Sequence, residues 1–237
     1  MIHKINLEHI LFLDIETVPQ KVAFSDLNSA EQELWAEKTK YKRKENEKPS
    51  EYYKNAAIWA EFGQILCISA GFFTISSQNR KFRITSFSGN EVDLLTNFNA
   101  LLNSHFNKHY HRLCAHNGKE FDFPFLARRN LINGLELPVQ LQHFGKKPWE
   151  VPHLDTMELW KFGDFKHYTS LKLLAHVLGV PSPKEDMDGS KVRDVYYLEK
   201  DIERIIRYCE TDVVTIARIF LKLQGKSSMP DEEIIRV

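Results

Sequence analysis

The chain has 237 residues, which suits one domain with a sizeable core, or one domain plus insertions. Hydrophobic residues make up 43% and charged residues 27%, the composition of an ordinary soluble globular protein. Lysine plus arginine and aspartate plus glutamate both number 32, so the net charge neither demands nor excludes a polyanionic partner. No apolar run approaches ~18 residues and no signal sequence is evident, which predicts a cytoplasmic protein without a membrane partner. Three widely spaced cysteines, Cys67, Cys114 and Cys209, each lie in an apolar segment and are predicted to be reduced core residues.

The first predicted element is a buried strand in the stretch LFLDIETVPQ, with Pro19 at its end. Successive side chains of a strand point to opposite faces, so Asp14 and Glu16 share one face, roughly 6–7 Å apart. Two carboxylates on one face near a buried strand repel each other unless protons or a cation compensate them. The alternative is a strand end at which both acids simply reach water.

Residues 21–62 predict a helical insertion carried on a sheet domain. Ser29 and Gln32 resemble a capping box at the start of a first helix. The charged stretch 38–50 is interpreted as an exposed helix end and loop. A second helix is predicted to end near Gly63.

The remaining elements predict a mixed α/β sheet with helices on its faces. Segments 64–74 and 81–89 form a predicted β-hairpin, and Asn90 begins a helix. The later elements are a strand in 111–118, a helix that begins in 120–129, a loop over 133–153, a short apolar segment 154–160, a helix capped by Ser170, a long helix from about Leu198 to Gln224, and a tail from about 225 to 237.

Two further acids have ordinary explanations when each is considered alone. Asp122 lies in the first turn of its helix, where an acid is favoured by the helix dipole. Tyr208 and Asp212 are four residues apart on the long helix, which is the spacing of a surface hydrogen bond. Loop or capping roles are preferred for Asp155 and for the acids of the 182–192 loop: Glu185, Asp186 and Asp188. Basic residues in 38–44 and 145–149 are interpreted as solvated loops, although either stretch could contact a phosphate backbone.

Together, Asp14, Glu16, Asp122 and Asp212 could meet at one edge of the sheet. Four clustered carboxylates would repel one another strongly without divalent cations. Mg²⁺ or Mn²⁺ suits an all-oxygen cluster of this kind. Two such ions roughly 3.5–4 Å apart form the arrangement used for in-line phosphoryl displacement.

The motifs DIET, NGKEFD and YCETD resemble, in the same order, the three motifs of the DEDD superfamily of 3′–5′ exonucleases. The third has the Tyr-x-x-x-Asp form of the DEDDy branch, whereas the histidine branch would have histidine at Arg207. The second resembles the proofreading domains of family-B DNA polymerases, and the loop SPKEDMDGSKV and the segment HLDTMELW resemble standalone members of that group.

This resemblance implies a ribonuclease H-like α/β fold and a single exonuclease domain over residues 1–237. It implies that Asp14, Glu16, Asp122 and Asp212 hold two Mg²⁺ or Mn²⁺ ions and that Tyr208 orients the attacking water. Thr17, Asn117 and Phe121 would contact the terminal nucleotides. The expected partner is nucleic acid, with DNA favoured, at a single-stranded or frayed 3′ end.

Two other functions stay open from the sequence. One is a catalytically silent nucleic-acid scaffold on the same fold. The other is an interaction module whose function lies in the 21–62 insertion.

Overall fold

The computed structural model describes residues 2–76, 79–164, 167–181 and 187–237. In these residues six strands occur: β1 (Ile10–Pro19), β2 (Gly63–Ser76), β3 (Asn79–Ser88), β4 (Arg112–Ala115), β5 (Leu154–Asp155) and β6 (Ile234–Arg236). The α-helices are α1 (Ser29–Thr39), α2 (Pro49–Tyr52), α3 (Glu91–His105), α4 (Asp122–Ile132), α5 (Thr156–Lys161), α6 (Leu171–Val177), α7 (Val192–Asp194) and α8 (Ile202–Leu223). A π-helical segment, Val195–Glu199, lies between α7 and α8.

The strands form one mixed sheet in the order β5-β4-β1-β2-β3-β6. The pairs β1/β2 and β2/β3 are antiparallel, whereas β1/β4, β4/β5 and β3/β6 are parallel. The predicted hairpin of β2 and β3 is confirmed, although two residues of its turn, 77–78, lie outside the described residues. The predicted mixed α/β sheet with flanking helices is also confirmed.

The two faces of β1 pack against different helices because its side chains alternate. Leu11, Leu13 and Ile15 belong to a core that includes residues of α3 and α4. Ile10 and Phe12 belong to a core that includes residues of α8. The central strand is therefore covered on both sides, which explains its nearly continuous apolar sequence.

The predicted insertion after the first strand is present and helical. Its own small core surrounds the fully buried Trp35. The capping box at α1 is one residue earlier than predicted: Asn28 accepts from the backbone N–H of Glu31, and Glu31 accepts from that of Asn28, both at 2.9 Å. Gln32 instead donates to a backbone carbonyl. The predicted second helix is a short α2 followed by a 3₁₀ helix, Tyr53–Ile58.

The C-terminal part of the chain differs from the prediction in two places. The long helix begins at Ile202 rather than near Leu198, because Lys200 adopts a left-handed φ of 57° and Asp201 caps α8. The tail contains β6, which pairs with β3 and was not predicted. Residues 182–186 of the acidic loop lie outside the described residues. None of the helices in the described ranges is long and apolar enough to cross a membrane.

Candidate active site

The first two acids lie on the face of the sheet that α8 covers. Asp14 and Glu16 belong to the even-numbered residues of β1, as do the residues that pack against α8. Glu16 is only 8% exposed. The pairing register of β1 with β2 shifts between Glu16 and Thr17. This irregularity lies directly beside the second acid, Glu16. A β-bulge of this kind bends a strand and changes the direction of nearby side chains.

The helix α8 brings a thiol, a phenol and a third acid to this region. The Cys209 thiol donates to the backbone oxygen of Asp14 at 3.4 Å and to Asp14 Oδ2 at 3.5 Å. The Tyr208 side chain forms a hydrogen bond with Asp212, one helical turn later. Donor atoms of Asp14, Glu16 and Cys209 all lie within 4.8 Å of one another.

The fourth acid, Asp122, is the first residue of α4 and is 3% exposed. Its carboxylate accepts a hydrogen bond from the backbone of Ile15, which connects the helix start to β1. Gly118 permits the loop before α4 to pack closely on the end of β4: an added Cβ would lie 2.4 Å from the Cβ of Ala115 and 3.0 Å from the ring of Phe123. Both contacts are shorter than the packing of a folded core tolerates without movement.

Asp155 holds the loop that precedes Asp122. Its carboxylate accepts from the backbone N–H groups of Asn117 at 3.0 Å and Lys119 at 3.1 Å. It also accepts from Met157 at 2.9 Å and Glu158 at 3.3 Å, and therefore caps α5. The capping interpretation of Asp155 is thus confirmed, and the structure adds its second task of anchoring the NGKEFD loop.

Burial and the neighbouring carboxylates raise the pKa values of Asp14 and Asp122. Burial raises the pKa of Asp14 well above its usual value, and the charges of Glu16, Asp122 and Asp212 raise it further. Burial is also the largest cause for Asp122, whose pKa rises to about 7 with contributions from Asp155 and Asp212. The pKa of Tyr208 is raised by burial and then by the neighbouring carboxylates, so the phenol stays protonated at neutral pH.

The donor set fits a hard divalent cation. Asp122 Oδ1 is buried and has no hydrogen-bond partner among the described residues. An unpaired buried carboxylate oxygen costs free energy, and a cation would satisfy it and offset the mutual repulsion. Carboxylate oxygens are the ligands that Mg²⁺ and Mn²⁺ prefer. Cys209 adds a sulfur that such ions do not favour, and its pKa is raised by burial, so it remains a thiol.

The three residues expected to contact nucleotides lie around this cluster. The Thr17 hydroxyl donates to the backbone oxygen of Ala57 at 2.9 Å and thereby holds the insertion against β1. Asn117 has a left-handed φ of 62°, and its side-chain oxygen has no partner among the described residues. Phe121 is half-buried, with its ring centroid 5.3 Å from that of Phe125.

Cys209 is the residue that sequence reasoning assigned only to the core. It is fully buried, as predicted, but its thiol also contacts the first acid. The sequence contained a signal for this contact, because Cys209 directly follows Tyr208. A helix that places Tyr208 and Asp212 beside β1 also places the buried residue between them beside β1.

The chain belongs to a family of predicted nucleases. Residues 59–234 match the family described as "Predicted 3'-5' exonuclease related to the exonuclease domain of PolB". The matched range contains Asn117, Phe121, Asp122, Tyr208 and Asp212, and it begins after the first strand with its two acids. Comparison with curated protein sequences gives no match.

The fold is similar to part of a solved polymerase structure. The family B DNA polymerase from the hyperthermophilic archaeon Pyrobaculum calidifontis aligns with a TM-score of 0.53 and 14% sequence identity. The alignment covers 88% of this chain and 23% of the polymerase. The fold is therefore the ribonuclease H-like mixed α/β fold that the motifs implied.

Proposed function

We propose that the chain is a metal-dependent exonuclease that hydrolyses phosphodiester bonds from the 3′ end of a nucleic-acid strand, with DNA favoured. One observation carries the proposal: Glu16, Asp122 and Asp212, from three separate elements, all raise the pKa of Asp14. Bringing these charges together costs free energy, and a bound cation would offset that cost. Membership in a family of predicted 3′–5′ exonucleases supports the same reaction.

In this proposal Asp14, Glu16, Asp122 and Asp212 hold two Mg²⁺ or Mn²⁺ ions. When bound, such ions supply Lewis-acid chemistry for in-line phosphoryl displacement. Asp14 interacts electrostatically with each of the other three acids. Asp14 would therefore be the central residue among those that hold the metal.

Tyr208 has a different task from the acids. A phenol whose pKa lies above its usual value of 10.0 is a poor base at neutral pH. It can still donate and accept hydrogen bonds, and Asp212 restrains its hydroxyl. Tyr208 would therefore orient the attacking water by hydrogen bonding and would not act as its base.

The NGKEFD loop and the β-bulge after Glu16 would bind the 3′ end of the nucleic-acid strand. Asn117 has a side-chain oxygen without a partner among the described residues, and the half-buried Phe121 offers an apolar ring. Because the Thr17 hydroxyl is bonded to the insertion, its backbone is the part assigned to the terminal sugar. A single-stranded or frayed 3′ end is the substrate form that such a site would accept.

The test uses 5′-labelled single-stranded DNA and RNA with Mg²⁺ or Mn²⁺, analysed on denaturing gels. The DNA should shorten stepwise from its 3′ end, and a 3′ phosphate should slow the reaction. Asp14→Ala and Asp212→Ala should give no product, whereas Asp93→Asn, at an exposed position of α3, should act as wild type. Equally fast cutting of circular single strands would contradict the proposal.

A silent binding module is less favoured than an enzyme. A scaffold that only binds nucleic acid gains nothing from four mutually repelling carboxylates beside a polyanion. It would bind the labelled strand and leave it intact with either metal.

A further inference from the structure

A cavity of about 350 Å³ lies beside the candidate active site, along the first half of α8. The side chains that line it, apart from one methionine, are Arg204, Arg207, Tyr208, Glu210, Thr211 and Arg236. Tyr208 belongs both to this cavity and to the acidic cluster, so the two sites adjoin. Arg236 comes from β6, which brings the C-terminal strand to the cavity wall.

The lining carries three arginines and a single glutamate. Arg204 pairs with Glu199 at 2.7 Å, and Arg236 pairs with Glu210 at 3.0 Å. Arg207 is exposed, and its guanidinium makes no hydrogen bond or ion pair with any residue that the structure describes. This arginine is therefore available to an anion that enters the cavity.

The neighbouring surface extends the cavity along α8. A second cavity of about 240 Å³ shares Thr211 and Arg236 with the first and reaches Arg218. From Arg204 to Arg218 the helix axis advances by about 21 Å. The two cavities thus form a groove that runs along α8 from Arg204 to Arg218 and passes Tyr208.

An anion site is needed here for an electrostatic reason. With two divalent ions bound the four carboxylates leave the cluster with no excess positive charge, and the whole chain has no net charge to attract a polyanionic strand. Attraction must then come from a local group of cations. Arginine suits phosphate because its planar guanidinium donates two parallel hydrogen bonds.

We propose that this cavity is a phosphate-binding site of the exonuclease, with Arg207 as its principal ligand and Arg204 and Arg236 at its walls. The assignment rests on the proposed function. The phosphate belongs either to an internal linkage of the substrate strand or to the released nucleoside 5′-monophosphate.

The experiment measures binding of a fluorescein-labelled DNA single strand with phosphorothioate 3′ linkages, by anisotropy with Ca²⁺ over a salt series. Arg207→Gln should weaken binding several-fold and make the slope of log K against log[salt] shallower by about 0.7. Arg207→Lys should recover part of the loss. The matched control is Arg128→Gln, because Arg128 is also exposed but lies on α4, across the sheet. It should bind as wild type.

Titration with thymidine 5′-monophosphate then separates the two sources of phosphate. An equal loss of nucleotide affinity in Arg207→Gln assigns the site to the released product, and an unchanged nucleotide affinity assigns it to an internal linkage. The proposed phosphate site is wrong if Arg207→Gln has the same strand affinity and salt slope as the wild type. It is also wrong if the wild type does not bind the strand. If binding depends on Arg207 but Mn²⁺ yields no shortened strand, the proposed function fails while the phosphate site stands.

Discussion

Replacing Asp122 by asparagine should stabilise the metal-free protein. Burial and neighbouring charges raise the pKa of this carboxyl from 3.8 to about 7. A shift of about 3 units corresponds to about 4 kcal/mol at 1.36 kcal/mol per unit. This is the upper limit of the gain, because the remaining acids relax when one charge is removed. Asparagine keeps one oxygen that can accept the hydrogen bond from the Ile15 backbone. Its amide nitrogen, a donor, takes the position of Oδ1, which has no partner among the described residues.

The pH dependence of this effect has a defined sign. The folded pKa of Asp122 lies above the unfolded value, so the folded protein binds the extra proton between the two values. The free energy of unfolding of the wild type therefore falls as pH rises from 3.8 to about 7. Asp122→Asn lacks this decline. The difference in the free energy of unfolding between the variant and the wild type should therefore be small near pH 3.8 and reach a plateau above about pH 7.

The assay is urea unfolding in EDTA across this pH range, repeated with Mn²⁺. Mn²⁺ should narrow the difference, because a ligand at 100 times its Kd stabilises the folded wild type by about 2.7 kcal/mol and the variant lacks one of the ligand oxygens. The control Asp93→Asn should change stability by less than about 1 kcal/mol. If metal-free Asp122→Asn is no more stable than the wild type above the upper pKa, the charged Asp122 does not destabilise the fold and the prediction is wrong.

Three other predictions concern single side chains. Tyr208→Phe should lower the single-turnover rate about 10²-fold and leave its Mn²⁺ dependence unchanged; a wild-type rate would remove the tyrosine from the mechanism. Gly118→Ala should lower the free energy of unfolding by about 1–3 kcal/mol, since the added Cβ lies 2.4 Å from Ala115; an unchanged urea midpoint would contradict this packing argument. Arg129→Met should cost about 3–5 kcal/mol in the same assay, because Arg129 is 2% exposed and its loss leaves Glu91 without its buried cation; a loss below 1 kcal/mol would count against it.

Features that depend on local periodicity follow directly from the order of the amino acids. The alternation in β1 predicted that Asp14 and Glu16 share a face, and the apolar face of α8 predicted the burial of Cys209. The start of α3 after Asn90 and of α6 after Ser170 followed from caps. These features depend on residues a few positions apart, so no distant contact is needed to specify them.

The tertiary structure alone decided how distant segments meet. The second role of Asp155 depends on β4 and β5 being neighbours, which brings its carboxylate to the NGKEFD loop. The pairing of β6 with β3 and the arginine that β6 adds to the groove depend on a contact across most of the chain. The raised pKa of Asp14 likewise requires acids from β1, α4 and α8 to lie close together. Local sequence cannot specify such contacts, because burial and Coulomb interactions depend on distance in space rather than on separation along the chain.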